Sequence, residues 1–252
     1  MTFADAAQVT KVGGRDAIPA NTAGVRKDSS PLERSPRLWC HTDVGRTTRA
    51  ACFLLLALLF GVAAAAQQAP QLSRAELIDA LVAAAYDRPN HPARYEAKYV
   101  AIPYPNGDVP ADTGVCADEI VRIYRAAGID LQKNVHEDMV AAWSEYPHKW
   151  GARRPDRNID HRRVPNLAVF FRRHGEVLRV SDKPEDYAPG DIVTWNLIKD
   201  GDLPHIGMVV DRRGPSGRWM VEHNIGSGPQ IEDALFDWKI TGHYRYFGSE
   251  RR

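Results

Sequence analysis

The chain has 252 residues, 44% of them hydrophobic, and a formal net charge of +1. That length allows one large or two small globular domains, and the hydrophobic share is ordinary for a folded protein. A charge so near zero leaves no electrostatic footprint for nucleic acid or an anionic surface, so nucleic acid is not expected as a partner.

Residues 1–45 scatter proline, glycine, serine and charge without periodicity. They read as a disordered extension, or as the product of a start codon placed upstream of the true one. Residues 46–66 run from Arg46 and Arg49 through the uncharged stretch Ala50–Ala66, which ends in small residues just before Gln67. Basic region, apolar core and small-residue exit is the order of a cleaved signal peptide. An uncut anchor is the rival reading, but the run barely reaches the ~20 apolar residues that a spanning helix needs. Cleavage leaves 67–252 as a single, nearly neutral domain, periplasmic or secreted, with no stable membrane insertion and expected to be a monomer. It also removes Cys40 and Cys52. Cys116 then has no partner for an internal disulfide, and a lone thiol in an oxidising compartment is a liability unless it is used.

In the remaining chain, Leu72 to Tyr86 carries Leu77, Ile78, Leu81, Val82 and Ala85 at helical spacing behind Ser73 as cap. Ile102 to Pro110 holds three prolines and an Asn-Gly pair. It predicts an irregular loop leading towards Cys116, with Tyr104 and Asp112 as candidate substrate contacts. From Cys116, the residues Ile120, Ile123, Tyr124 and Ala127 recur on one helical stripe that Gly128 closes. Cys116 falls at the N-terminus of that helix, where the dipole favours thiolate; a small buried hydrophobe is the plainer alternative. Asp118 and Glu119 read as favourable charges in the first turn.

A second helix is expected from about His136 to Tyr146, capped by Asn134, with Met139, Val140 and Trp143 inward. Pro147 to Val164 is loop-like and rich in arginine. It reads as a solvated charged loop or, more sharply, as a site where Arg162 and Arg163 bind substrate carboxylates. Pro165 to Phe171 predicts a short helix ending at His174-Gly175. Thereafter the period becomes two, with strands expected over Val177–Val180, Ile192–Trp195, Ile206–Val210, Trp219–Asn224 and His243–Phe247. Helices followed by antiparallel strands make an α+β domain, with the helix bearing Cys116 packed on the sheet.

Within the strands, His205, Gly207 and Val209 share one face, and Gly207 is expected to let the Cys116 helix approach closely. The long loop Asp211–Arg218 leaves the next register open, so either His223 or Asn224 would lie beside His205. Nucleophile Cys116, base His205 and a polar orienter are the parts of a thiol acyl-transfer site. The remaining histidines His136, His148, His161, His174 and His243 have no metal-ligand spacing, and neither metal nor cofactor is expected.

Cysteine at a helix start, Pro189-Gly190-Asp191 before a strand, His205-Ile206-Gly207-Met208, and a strand ending in His223 with a small polar turn together resemble the NlpC-type cell-wall cysteine peptidases. The runs Ile102–Pro110, Asn158–Asn166 and His223–Gly228 more closely resemble the exported bacterial family known as domain of unknown function 1287. The first resemblance implies a papain-like fold and cleavage of peptide bonds in the peptidoglycan stem by a Cys-His-polar triad without metal or cofactor. Carried over by position, Cys116 is nucleophile, His205 base and His223 orienter, and peptidoglycan peptide is the partner. The chain has Val115-Cys116-Ala117-Asp118 where that group usually has Asp-Cys-Ser-Gly. Rival expectations are an acyltransferase using the same triad and a non-catalytic wall-binding module; a periplasmic metal-binding protein comes behind both.

Overall fold

The computed structural model describes residues 72–248. The extension 1–45 and the signal-type run 46–66 lie outside the described residues. Helix α1 is Arg74–Asp87, opened by a reciprocal capping box: Ser73 Oγ accepts from the Glu76 amide at 3.2 Å, and Glu76 returns the bond at 2.7 Å. Leu77, Leu81 and Ala85, four apart, put one stripe of the helix into the core. Two short parallel strands follow, β1 (Arg94–Tyr95) and β2 (Thr113–Gly114), the second running into helix α2 (Cys116–Ala126). Gly128 ends α2 at φ +81°, and the amides of Gly128 and Ile129 bond back to the Arg125 and Tyr124 carbonyls. That is the left-handed cap that a residue without Cβ adopts at no steric cost.

Helix α3 is Leu131–Ala141, capped by Asp130 through the Lys133 amide. It starts earlier than expected, because Asp130 offers its carboxylate one turn before Asn134. Leu131, Val135 and Met139 therefore face the core, and Val140 is 63% exposed. Trp143 falls in a single 3-10 turn beyond the helix. Helix α4, Val164–His174, buries Leu167, Phe170 and Phe171 and stops at Gly175.

Six antiparallel strands form the sheet: β3 (Glu176–Val177), β4 (Ile192–Asn196), β5 (Pro204–Arg213), β6 (Trp219–Asn224), β7 (Pro229–Glu232) and β8 (Lys239–Arg245), in the order β3-β8-β4-β5-β6-β7. The first strand is shorter than expected because Val177 and Val180 are exposed at the sheet edge and bury nothing that would extend it. β7 had no sequence expectation. Ile192, Ile206, Met208 and Val210 face α1, α2 and α4 in the main core, whereas Val193, Trp195, Val209 and Val221 form a second core on the opposite face. The α+β reading, with the Cys116 helix packed on an antiparallel sheet, holds. Full burial of Ile120, Ile123 and Tyr124 on α2 contributes roughly 1.5–3 kcal/mol per aliphatic side chain, which fixes the helix N-terminus against β5.

Candidate active site

Cys116 begins α2 and is 3% exposed. Its Sγ lies 3.9 Å from the Tyr95 hydroxyl, and the Ile206 backbone, next to His205, lies near enough to act on the thiol. Burial pushes the thiol up to about 11, although Ile206 and Tyr95 oppose the shift. The expected thiolate at the helix N-terminus is thus corrected: loss of hydration outweighs the dipole, and the free chain carries a neutral thiol.

The first turn of α2 is anchored from below. Asp118 Oδ2 accepts from the Val115 amide at 2.7 Å, and the Arg162 guanidinium grips both Asp118 oxygens at 2.8 and 3.0 Å. Arg162 also donates to the Lys98 and Glu96 carbonyls. Both side chains are almost fully buried, so Arg162 is a structural clamp without a free edge for a substrate carboxylate. That expectation is corrected. Glu119 is in the first turn of α2 as expected, and it is fully buried, bonded to Arg88 and Arg122. Arg163 stacks its guanidinium 4.7 Å from the centroid of the Trp150 ring on the outer loop. Tyr104 packs edge-on against His136 of α3 and bonds Glu137, while Asp112 is exposed beside Arg94.

The two histidines meet. His205 Nε2 and His223 Nδ1 are 2.9 Å apart, and His223 Nε2 lies 2.8 Å from Glu232 Oε2. An ionised carboxylate only accepts, so His223 Nε2 donates and its Nδ1 becomes the acceptor. His205 Nε2 must then donate, which leaves the lone pair on His205 Nδ1. The one hydrogen bond of the ring among the described residues is that of Nε2. Burial, and secondarily His223, push the His205 imidazole down to about 3, so the ring is neutral. Burial also lowers His223, against the opposing pull of Glu232.

Asn224 lies on the next position of β6, buried, with Oδ1 accepting from the Gly226 amide and Nδ2 without a partner. Of the two residues left open by sequence, His223 is therefore the one that touches His205. Glu232 was missed because β7 was not recognised; the alternation Gln230-Ile231-Glu232 after the glycine turn was the available signal. Gly207 also has a different role from the one expected. A Cβ there would meet the Glu222 carbonyl at 2.7 Å and His223 and Trp195 at 3.2 Å, so it admits neighbours within the sheet and second core, not α2. No hydrogen bond joins Cys116 to His205: the His205 ring packs against Trp195 and Trp238 on the second-core side of the sheet, whereas Cys116 lies in the main core with Ile206. Among the described residues, no group of three or more His, Cys, Asp or Glu is placed to hold a metal.

A family model described as domain of unknown function (DUF1287) matches residues 82–246. The chain belongs to this family. The DUF1287 match takes in the helix of Cys116 and the strands of His205, His223 and Glu232. The uncharacterized protein YijF of Escherichia coli strain K12 is 53% identical over 153 residues, 61% of this chain and 74% of that protein. Among solved structures, NlpC2 from Trichomonas vaginalis aligns with a TM-score of 0.40 at 16% identity, covering 72% of this chain and 51% of that one. A protein similar to a lipoprotein of the NLP/P60 family from Staphylococcus aureus aligns with a TM-score of 0.34 at 13% identity, covering 72% and 45%. The DUF1287 chain thus spans about half the length of these two structures.

Proposed function

We propose that the domain is an exported cysteine hydrolase that cleaves amide bonds in peptidoglycan stem peptides. The observation that carries this reading is the hydrogen-bonded series His205, His223, Glu232, which leaves one lone pair, on His205 Nδ1, on the strand against which the helix of Cys116 packs. A buried imidazole pair aligned by a carboxylate is costly for stability alone, and it is the arrangement that a general base requires.

In the proposed reaction, the His205 ring, which rests against Trp195 and Trp238 on the second-core side of the sheet, turns towards Cys116, and its Nδ1 takes the Sγ proton as sulfur attacks the carbonyl carbon. The imidazolium then gives that proton to the leaving amine, and a thioester remains on Cys116. Water, activated by the same nitrogen, attacks the thioester and releases the acid. The Cys116 and Ala117 amides, in the first turn of α2, lack intrahelical acceptors and face the Tyr95 hydroxyl and the Cys116 sulfur, so the oxyanion is to take the Cys116 amide in place of Tyr95. Because sulfur and imidazole are both neutral in the free chain, proton transfer accompanies attack and does not precede it. Tyr95, 40% exposed and bonded to the sulfur, must swing away for substrate to enter.

The test is acid quenching of the full chain with soluble stem peptides, followed by mass spectrometry. A thioester on the peptide containing Cys116, absent in His205→Ala, supports the reading. Peptide binding without any adduct replaces it with the wall-binding module, which the burial of Cys116 favours. An adduct that passes to an added amine faster than to water makes the protein an acyltransferase.

A further inference from the structure

Beside the candidate site, a cleft of about 410 Å³ is lined by Pro92, Arg94, Asp112, Gly226, Ser227 and Gly228. One wall belongs to the segment that holds Tyr95 over the sulfur, and the other is the turn that follows His223 and Asn224. Gly228, at φ +93°, presents no side chain into the cleft; a Cβ there would lie 3.5 Å from the Ala93 carbonyl oxygen. The polar content is one opposed pair: Arg94 Nη2 and Asp112 Oδ2 are 3.7 Å apart, with side chains 71% and 75% exposed. A pair so wet and so loosely closed contributes almost nothing to folding. It offers a cation and an anion side by side, each with most of its hydrogen-bonding capacity unused.

We infer that this cleft binds the zwitterionic head of an amino-acid centre, its carboxylate on Arg94 and its ammonium on Asp112. Carboxylate and ammonium on a single carbon have the spacing to insert between the two side chains and form an alternating square of charge. A singly charged group would satisfy one partner and repel the other. The inference rests on the hydrolase reading for its consequence. Asp112 precedes Cys116 by four residues, so their backbones are at most ~14 Å apart at ~3.5 Å per extended residue. Such a centre keeps both charges within a peptide only when its residue is joined through the side chain, so the scissile bond lies within about four residues of a side-chain-linked amino-acid head, and substrates lacking such a head are poor.

The experiment is a chemical-shift titration of the full-chain Cys116→Ser variant with D-alanine, L-alanine, N-acetyl-D-alanine and D-alaninamide. Saturable shifts at the amides of Arg94, Ser227 and Gly228 are expected with free alanine of either hand. Affinity should fall about ten-fold or more when either charge is blocked, and likewise in Arg94→Ala and Asp112→Ala. Equal binding of the blocked forms, or no saturable shift at these amides, overturns the inference. The exposed positions of Arg94 and Asp112 keep the variants folded, and unchanged melting curves check this. No turnover enters the titration, so a failed hydrolase reading leaves its result intact, and thioester trapping is equally independent of the cleft.

Discussion

Arg162→Ala should be the most damaging substitution outside the candidate catalytic residues. The wild-type guanidinium makes two bonds to Asp118 and two to the Lys98 and Glu96 carbonyls, in surroundings where both ionised side chains are almost dry. Truncation leaves the Asp118 carboxylate buried with only the Val115 amide as partner. Breaking a buried pair from one side costs about 3–5 kcal/mol, which for a domain of this size lowers the melting temperature by roughly 10 °C. Arg162→Lys keeps the charge but loses the fork, so an intermediate loss is expected. The double variant Asp118→Leu, Arg162→Met removes both charges and should recover most of the stability. Urea denaturation of the four proteins measures these differences directly. Because Glu96 adjoins Tyr95, Arg162→Ala should also speed alkylation of Cys116. A loss below about 1 kcal/mol, or a double variant no better than the single, would refute the argument that the clamp is a buried pair.

The remaining expectations concern protons. Glu222 is fully buried with neither oxygen partnered, and burial plus the Glu119 charge push its carboxyl well above 4.5. The folded chain keeps this proton longer than the unfolded chain, so stability falls as pH rises above 4.5 towards the raised value. Glu222→Gln should accordingly stabilise at pH 8 and not at pH 4, read from paired urea melts. His205 and His161 are each pushed down to about 3, chiefly by burial. Their contribution is complete above 6.5 and is lost as pH falls towards 3, at up to about 1.4 kcal/mol per pH unit for each. Acid titration of the melting temperature checks it. Glu232→Gln, at a half-exposed carboxylate, should leave the fold intact but mix the tautomers of both histidines, seen as averaged Nδ1 and Nε2 resonances in nitrogen-15 spectra where the wild type shows Nε2–H on each.

Much of this arrangement was legible in the residues because local and global signals agree. Ile120, Ile123, Tyr124 and Gly128 specify α2 by spacing and cap together, and Leu77, Leu81 and Ala85 do the same for α1. What escaped was set by partners distant in sequence. Arg162 looked like a solvated loop charge because its partner Asp118 lies 44 residues away and its other acceptors are backbone carbonyls. Glu232 was missed because its meaning depends on the register of β7 against β6. The state of Cys116 was misjudged for a related reason. Its position at a helix N-terminus is local and readable, whereas its burial under Tyr95 and against Ile206 comes from the tertiary packing.

Digestion of purified sacculi by the full chain, followed by muropeptide analysis, bears most directly on the assignment of Cys116 as nucleophile. Wild type should release fragments with one new amino and one new carboxyl group per cleaved stem, and Cys116→Ser should release none. Identical profiles from wild type, Cys116→Ser and untreated sacculi would contradict it.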